Sequence, residues 1–125
     1  MDQEVEAVGR EVVDAGIQVH RALGPGLLES VYEHCLVKEI TMRGLKAARQ
    51  VGLPIVYAGE RLEGGLRLDL VVEDKVIVEI KSVEALSKLH EAQLLTYLRL
   101  SGLKLGFLMN FNVPLLKDGL RRMVR

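Results

Sequence analysis

Leu66-Arg67-Leu68-Asp69-Leu70-Val71-Val72, then Glu73-Asp74-Lys75, then Val76-Ile77-Val78-Glu79-Ile80-Lys81 is the stretch that decides the fold. Both flanking runs are rich in β-branched and aliphatic residues, as strands are. The short Glu73–Lys75 connection rules out a crossover, so the two strands pair antiparallel as a hairpin. With residues 73 to 75 as the loop, residue 69 stands opposite residue 79 and residue 67 opposite residue 81, all on one face. A loop one residue shorter would separate them.

Val76 to Lys81 is almost continuously apolar, the composition of a central strand buried on both faces, and Glu79 and Lys81 interrupt it. On the partner strand, alternation places Asp69 on one face and Leu68, Leu70 and Val72 on the other. Desolvating a charged side chain costs several kcal/mol, so buried charges come with partners. The bland account is a strand end open to water. Opposed like charges destabilise a sheet, however, so adjacent Asp69 and Glu79 make physical sense if a cation bridges them or one is protonated. A metal is the simpler answer. Oxygen donors without a Cys or His cluster suit a hard ion, Mg2+ or Mn2+, rather than zinc.

Working outward, Val5, Val8, Val12, Ala15, Val19 and Leu23 recur at helical steps and define an N-terminal helix from about residue 3 to residue 22. Gly24-Pro25-Gly26 breaks it, and a second helix runs to about Arg43, stopped by Gly44. Leu45 to Tyr57 reads as a strand kinked at Pro54, and Gly59 to Gly65 as a turn. After the hairpin, Ser87 caps a helix from about Lys88 to Ser101, which precedes a strand from Leu105 to Phe111. The tail beyond Pro114 supplies one last short strand. The order ααβββαβ implies an α/β (α+β) fold, a mixed central sheet flanked by helices, in one domain over residues 1–125.

At 125 residues and 49% hydrophobic, the chain has material for one continuous core. Basic and acidic residues number 17 each, so no strongly basic field captures nucleic acid, and any such binding is local. Lys75, Lys88, Lys104, Lys117, Arg121, Arg122 and Arg125 are the candidates for a phosphate-tracking patch, against the plainer reading of a solvated surface. Cys35 has no partner for a disulfide, no apolar run reaches the roughly 18 residues of a membrane span, and the acidic start MDQEVE lacks the features of a signal peptide. The expectation is a cytoplasmic protein. His20, His34 and His90 form no ligand pattern and read as surface or capping residues.

Asp69 followed by Glu79-Ile80-Lys81 resembles the D…ExK core of the PD-(D/E)XK phosphodiesterase superfamily. Gly26-Leu27-Leu28-Glu29-Ser30-Val31-Tyr32 resembles the name-giving motif of the GxxExxY protein family within it. Gln93-Leu94-Leu95-Thr96-Tyr97 is similar to the Q-xxx-Y helix of nucleases related to the recombination exonucleases, and the similarity continues through Gly106 to Pro114 and Gly119 to Arg122. The superfamily core, restriction-endonuclease-like, orders its elements as helix, three strands, helix and strand, which is the order read above with one extra helix in front. Leu68 stands where the superfamily's first motif has proline, a position that does not ligate metal.

The resemblance implies a nuclease that uses Mg2+ or Mn2+, with Asp69, Glu79 and the Ile80 carbonyl as metal ligands and Glu29 as a further metal or water ligand. Without it, Glu29 is a helix-start carboxylate favoured by the dipole. Lys81 is placed to orient a water or offset charge on a phosphate, against a plain salt bridge to Asp69. Gln93 and Tyr97 share a helix face, and the Gln93 amide can bond the lysine, a bound water or a phosphate. Tyr32, Tyr97 and Arg67 are supporting residues; the Tyr32 hydroxyl can hold a site carboxylate or the ring can simply pack. The leading function is a metal-dependent phosphodiesterase (a hydrolase) acting on nucleic acid, DNA first, with no membrane partner. The alternatives are a catalytically weak or inactive nucleic-acid-binding or assembly module, or a structural partner protein whose apolar 105–116 segment offers an edge strand or a homodimer surface.

Overall fold

The computed structural model describes residues 1–125. The elements are α1 (Gln3–Leu23), α2 (Glu29–Met42), β1 (Ala47–Tyr57), β2 (Glu60–Val72), β3 (Val76–Lys81), α3 (Lys88–Ser101), β4 (Leu105–Asn110) and β5 (Leu120–Val124), with a 3-10 turn at Leu116–Gly119. The strands form one sheet in sequence order, antiparallel throughout except for β3 and β4, which are parallel. A parallel neighbour needs a crossover, and α3 supplies it.

Two cores lie on opposite faces of this sheet. Val8, Val12, Ala15 and Val19 of α1 and Tyr32, Leu36 and Ile40 of α2 pack on Leu70, Val72, Val76, Val78 and Ile80. Leu94 and Leu98 of α3 pack on Leu68, Val71, Ile77 and Leu108. The valine spacing of α1 thus does what its helical period requires. Asp2 caps that helix, its carboxylate accepting from the Glu4 and Val5 amides at 2.7 and 3.3 Å. Ser87 caps α3, with His90 completing a reciprocal box, and Gly102 ends the helix in the left-handed conformation. No helix is long and apolar enough to cross a membrane.

Several expectations need correction. Residues 60–65 are strand rather than turn: the reversal is confined to Ala58 and Gly59, and β2 begins at Glu60. Leu53 pairs with Leu66 and Ile55 with Leu62, so Glu63, Gly64 and Gly65 bulge opposite Pro54. Proline offers no ladder donor, and at Gly65 a Cβ would lie 2.7 Å from Ile55, so glycine here marks a bulge. The second helix starts only at Glu29, leaving Gly26 to Leu28 in the loop before it. His20 is buried, donating from Nε2 to the Val113 carbonyl at 2.7 Å. The 105–110 stretch is an interior strand with every residue buried, so it offers neither a sheet edge nor a dimer surface.

The β2–β3 loop is the expected Glu73-Asp74-Lys75, and Val72↔Val76, Val71↔Ile77 and Leu70↔Val78 follow from it. The ladder then stops, so Arg67 does not meet Lys81. Arg67 pairs with Gly52 of β1 and Lys81 with Asn110 of β4. Leu68 also departs from Leu70 and Val72, since it belongs to the α3 core while they belong to the α1–α2 core. Asp69 is therefore where β2 changes face.

Candidate functional site

Where the β2–β3 ladder ends, the next step in register places Asp69 opposite Glu79, and their side chains take over the backbone's hydrogen bonding. The Asp69 amide donates to Glu79 Oε2 at 2.8 Å, and the Ile80 amide donates to Asp69 Oδ2 at 2.9 Å. This crossed pair props the strands apart and fixes the two carboxylates side by side in the gap. Each keeps one oxygen, Asp69 Oδ1 and Glu79 Oε1, with no protein hydrogen bond, and neither oxygen is sealed from solvent.

Burial and proximity tune these acids. Glu79 is 5% exposed, and burial together with the Asp69 charge pushes its pKa from 4.5 up to about 8, against the opposing pull of the Asp69 amide and Lys81. Burial also raises Asp69, while the Ile80 amide and the Lys81 charge hold it down. Lys81 is half-buried at the end of β3 and forms no ion pair, so the expected alternative of a salt bridge to Asp69 is not made. Its ammonium acts on both acids through space. Tyr97 on α3 also belongs to this neighbourhood: burial, then the Glu79 and Asp69 charges, raise its phenol.

From the other face, α2 brings carboxylates to the same gap. Glu29 Oε2 accepts from the Ser82 amide just beyond Lys81 at 3.1 Å, and Ser82 Oγ donates to the Leu27 carbonyl at 2.7 Å. The start of α2 is thereby tied to the end of β3. Glu29, Ser30, Glu33, Gln50, Asp69 and Ile80 line a cavity of about 290 Å3. A larger groove of about 560 Å3 lies between α1 and the β4–β5 strands; it contains none of the expected catalytic or metal-binding residues, and of the candidate phosphate-tracking residues only Arg122.

Three expected participants stand apart. Tyr32 holds no carboxylate: its hydroxyl donates to the Gly24 carbonyl at 2.6 Å and accepts from the Leu27 amide at 3.0 Å, and its ring stacks on Phe111 at 4.5 Å. It secures the Gly24–Leu27 loop that aims Glu29. Gln93 is exposed on α3, one turn before Tyr97, and its side chain makes no hydrogen bond. Arg67 is exposed on β2 and makes no side-chain contact with the carboxylates.

Two residues escaped the sequence reading. Glu33 is 6% exposed and binds Arg49 and Gln50; its position four after Glu29 on one helix face was the available signal. Asn110 is buried at the end of β4, where it binds both the amide and the carbonyl of Val83 at 3.1 and 3.0 Å and so orders the loop after Lys81. A lone amide closing an apolar strand was its signal.

No group of three or more His, Cys, Asp and Glu side chains is gathered closely enough to hold an ion by protein ligands alone. The donor chemistry still fits a hard cation that keeps several waters: two adjacent carboxylates, each with one uncommitted oxygen, in a site that otherwise disfavours their shared negative charge. A family model described as the PD-(D/E)XK nuclease superfamily matches residues 6–123.

The chain belongs to the PD-(D/E)XK nuclease superfamily.

No curated protein and no solved structure matches it. The match spans β1 to β4, all but the last residue of β5 and nearly the whole of α1, so the helix in front of the core lies within the family's own region. PD-(D/E)XK nucleases generally use divalent metals and act on nucleic acid.

Proposed function

We propose that this PD-(D/E)XK protein is a divalent-metal-dependent phosphodiesterase that cleaves the backbone of nucleic acid, DNA first. The observation that carries the reading is the crossed hydrogen-bond pair that holds Asp69 and Glu79 together at the open end of β2 and β3. The Gly26-Leu27-Leu28-Glu29-Ser30-Val31-Tyr32 motif supports placing it in the GxxExxY protein family.

Asp69 Oδ1, Glu79 Oε1 and the Ile80 carbonyl would hold Mg2+ or Mn2+, with Glu29 Oε1 as a further ligand to metal or water. A metal bound there would polarise a phosphate and acidify a water. The chain's own residues do the rest. Lys81, uncommitted to any ion pair, orients the attacking water or offsets charge growing on the phosphate. The Tyr97 phenol, whose pKa is raised beside the carboxylates, stays protonated and is free to donate to a substrate or water oxygen. Gln93, on the same helix face and unpaired, is free to hydrogen-bond substrate. With no net charge on the chain, substrate capture rests on these local contacts.

The test is a cleavage panel of single-stranded, duplex and branched DNA and of RNA, with Mg2+ or Mn2+ and with chelator. Metal-dependent cleavage that disappears in Asp69→Asn and Lys81→Met supports the proposal. Absence of cleavage across the panel, or cleavage unchanged in both variants, refutes it and favours a binding module that keeps the nuclease fold.

A further inference from the structure

Asp69 does not enter the gap simply because it is in a strand; β1 and β2 turn over together at that point. Ala47↔Val72, Ala48↔Val71 and Arg49↔Leu70 form one side of the ladder, and Val51↔Leu68, Gly52↔Arg67 and Leu53↔Leu66 continue it without any change of register. The single unpaired step between them is Gln50 opposite Asp69. Gln50 sits at φ +51, in the left-handed region that non-glycine residues rarely occupy. Beyond that step Leu68 faces the α3 core instead of the α1–α2 core, so both strands change face where the ladder is broken.

On the β1 side of this step the gripping side chain is Glu33, while Glu79 holds the Asp69 amide on the β2 side. Glu33 Oε1 accepts from Gln50 Nε2 at 2.5 Å and its Oε2 accepts from Arg49 Nη2 at 2.9 Å. The carboxylate is 6% exposed, while Gln50 and Arg49 lie at the surface, so a buried anchor on α2 holds two exposed residues of β1. Both oxygens are committed, which distinguishes Glu33 from Glu29, whose Oε1 has no protein hydrogen bond. We propose that Glu33 is a positioning residue: by clamping Arg49 and Gln50 it maintains the paired turnover of β1 and β2 that presents Asp69 to Ile80 and Glu79.

The inference deepens the nuclease reading and, for its consequence in metal binding, rests on it. Its primary readout needs no metal: hydrogen exchange of the Ile80 amide, which donates to Asp69, measured against the Val78 amide as internal reference in chelator-treated protein. Glu33→Gln and Gln50→Met are each expected to lower Ile80 protection about tenfold relative to Val78, and to weaken Mn2+ binding by a similar factor. Gln50→Met leaves the Glu33–Arg49 pair intact, so it reports on the clamp should Glu33→Gln fail to fold. Glycine adopts a positive φ without strain, so Gln50→Gly placed in the Glu33→Gln background is expected to recover most of the lost protection. Unchanged Ile80 protection in Gln50→Met would overturn the proposal. So would a double variant as unprotected as Glu33→Gln, since a residue acting directly on the gap would not be rescued from Gln50. If the wild type fails to bind Mn2+, the nuclease reading falls while the exchange result still decides the clamp.

Discussion

Replacing Glu79 with glutamine should stabilise the metal-free protein at neutral pH. In the folded chain Glu79 is protonated up to about pH 8, whereas unfolded it releases its proton near 4.5. Between those values the folded state binds the extra proton, so stability is fully present below 4.5 and falls as pH rises towards 8. At ~1.4 kcal/mol per pH unit, the loss accumulated between 4.5 and 7 is roughly 3 kcal/mol. The glutamine amide oxygen can still accept from the Asp69 amide, as Glu79 Oε2 does, but carries no proton to lose. Urea unfolding in chelator at pH 5, 6, 7 and 8 is the assay. Wild type should lose stability across the series, and Glu79→Gln should lose clearly less, keeping only the part that buried Asp69 contributes, and exceed wild type by up to roughly 3 kcal/mol at pH 7. Saturating Mn2+ should narrow the gap, since a ligand at a hundred times its Kd adds about 2.7 kcal/mol to the form that binds it. A variant with the wild-type pH slope, or one less stable than wild type at pH 7 without metal, would refute the reasoning.

Other substitutions separate architecture from chemistry. Tyr32→Phe keeps the stack on Phe111 but strips the Gly24 carbonyl and the Leu27 amide of their shared partner, and chemical denaturation should register a loss of about 1–2 kcal/mol. Gly119→Ala drives a Cβ into the Asn110 backbone carbonyl, which cannot yield as a side chain would, so thermal unfolding should show a loss of about 3 kcal/mol or more. Lys81→Met removes an ammonium with no ion pair, so stability should change by less than about 1 kcal/mol, while cleavage falls by about a hundredfold or more in single-turnover kinetics.

The hairpin was legible because its register follows from counting: a three-residue loop leaves only one pairing for strands with these buried faces, and Asp69 duly falls opposite Glu79. The helices were legible through valine spacing and the cap at Ser87, whereas the Asp2 cap emerged only from the structure. What alternation could not reveal is the turnover at Asp69, since period-two reasoning assumes an unbroken pleat and the break involves Gln50 and Glu33, distant in sequence. Gly64 and Gly65 were misread because glycine marks bulges as well as turns, and only the partner strand's Pro54 distinguishes them. Of the two readings open for Tyr32, the ring does pack, while the hydroxyl reaches backward to the loop rather than to a carboxylate, a contact with backbone atoms that carry no residue-specific signal. Gln93 and Arg67 were placed by motif and register respectively, and neither makes a contact with the carboxylates within the folded chain.

The central claim, that Asp69 and Glu79 form a cation site, is tested most directly by calorimetric titration of Mn2+ into wild type and Glu79→Gln at pH 7. The wild type should bind, releasing protons because Glu79 must ionise to ligate, and the variant should bind at least about tenfold more weakly without that release. Equal affinity in the two proteins, or no binding by wild type, would contradict it.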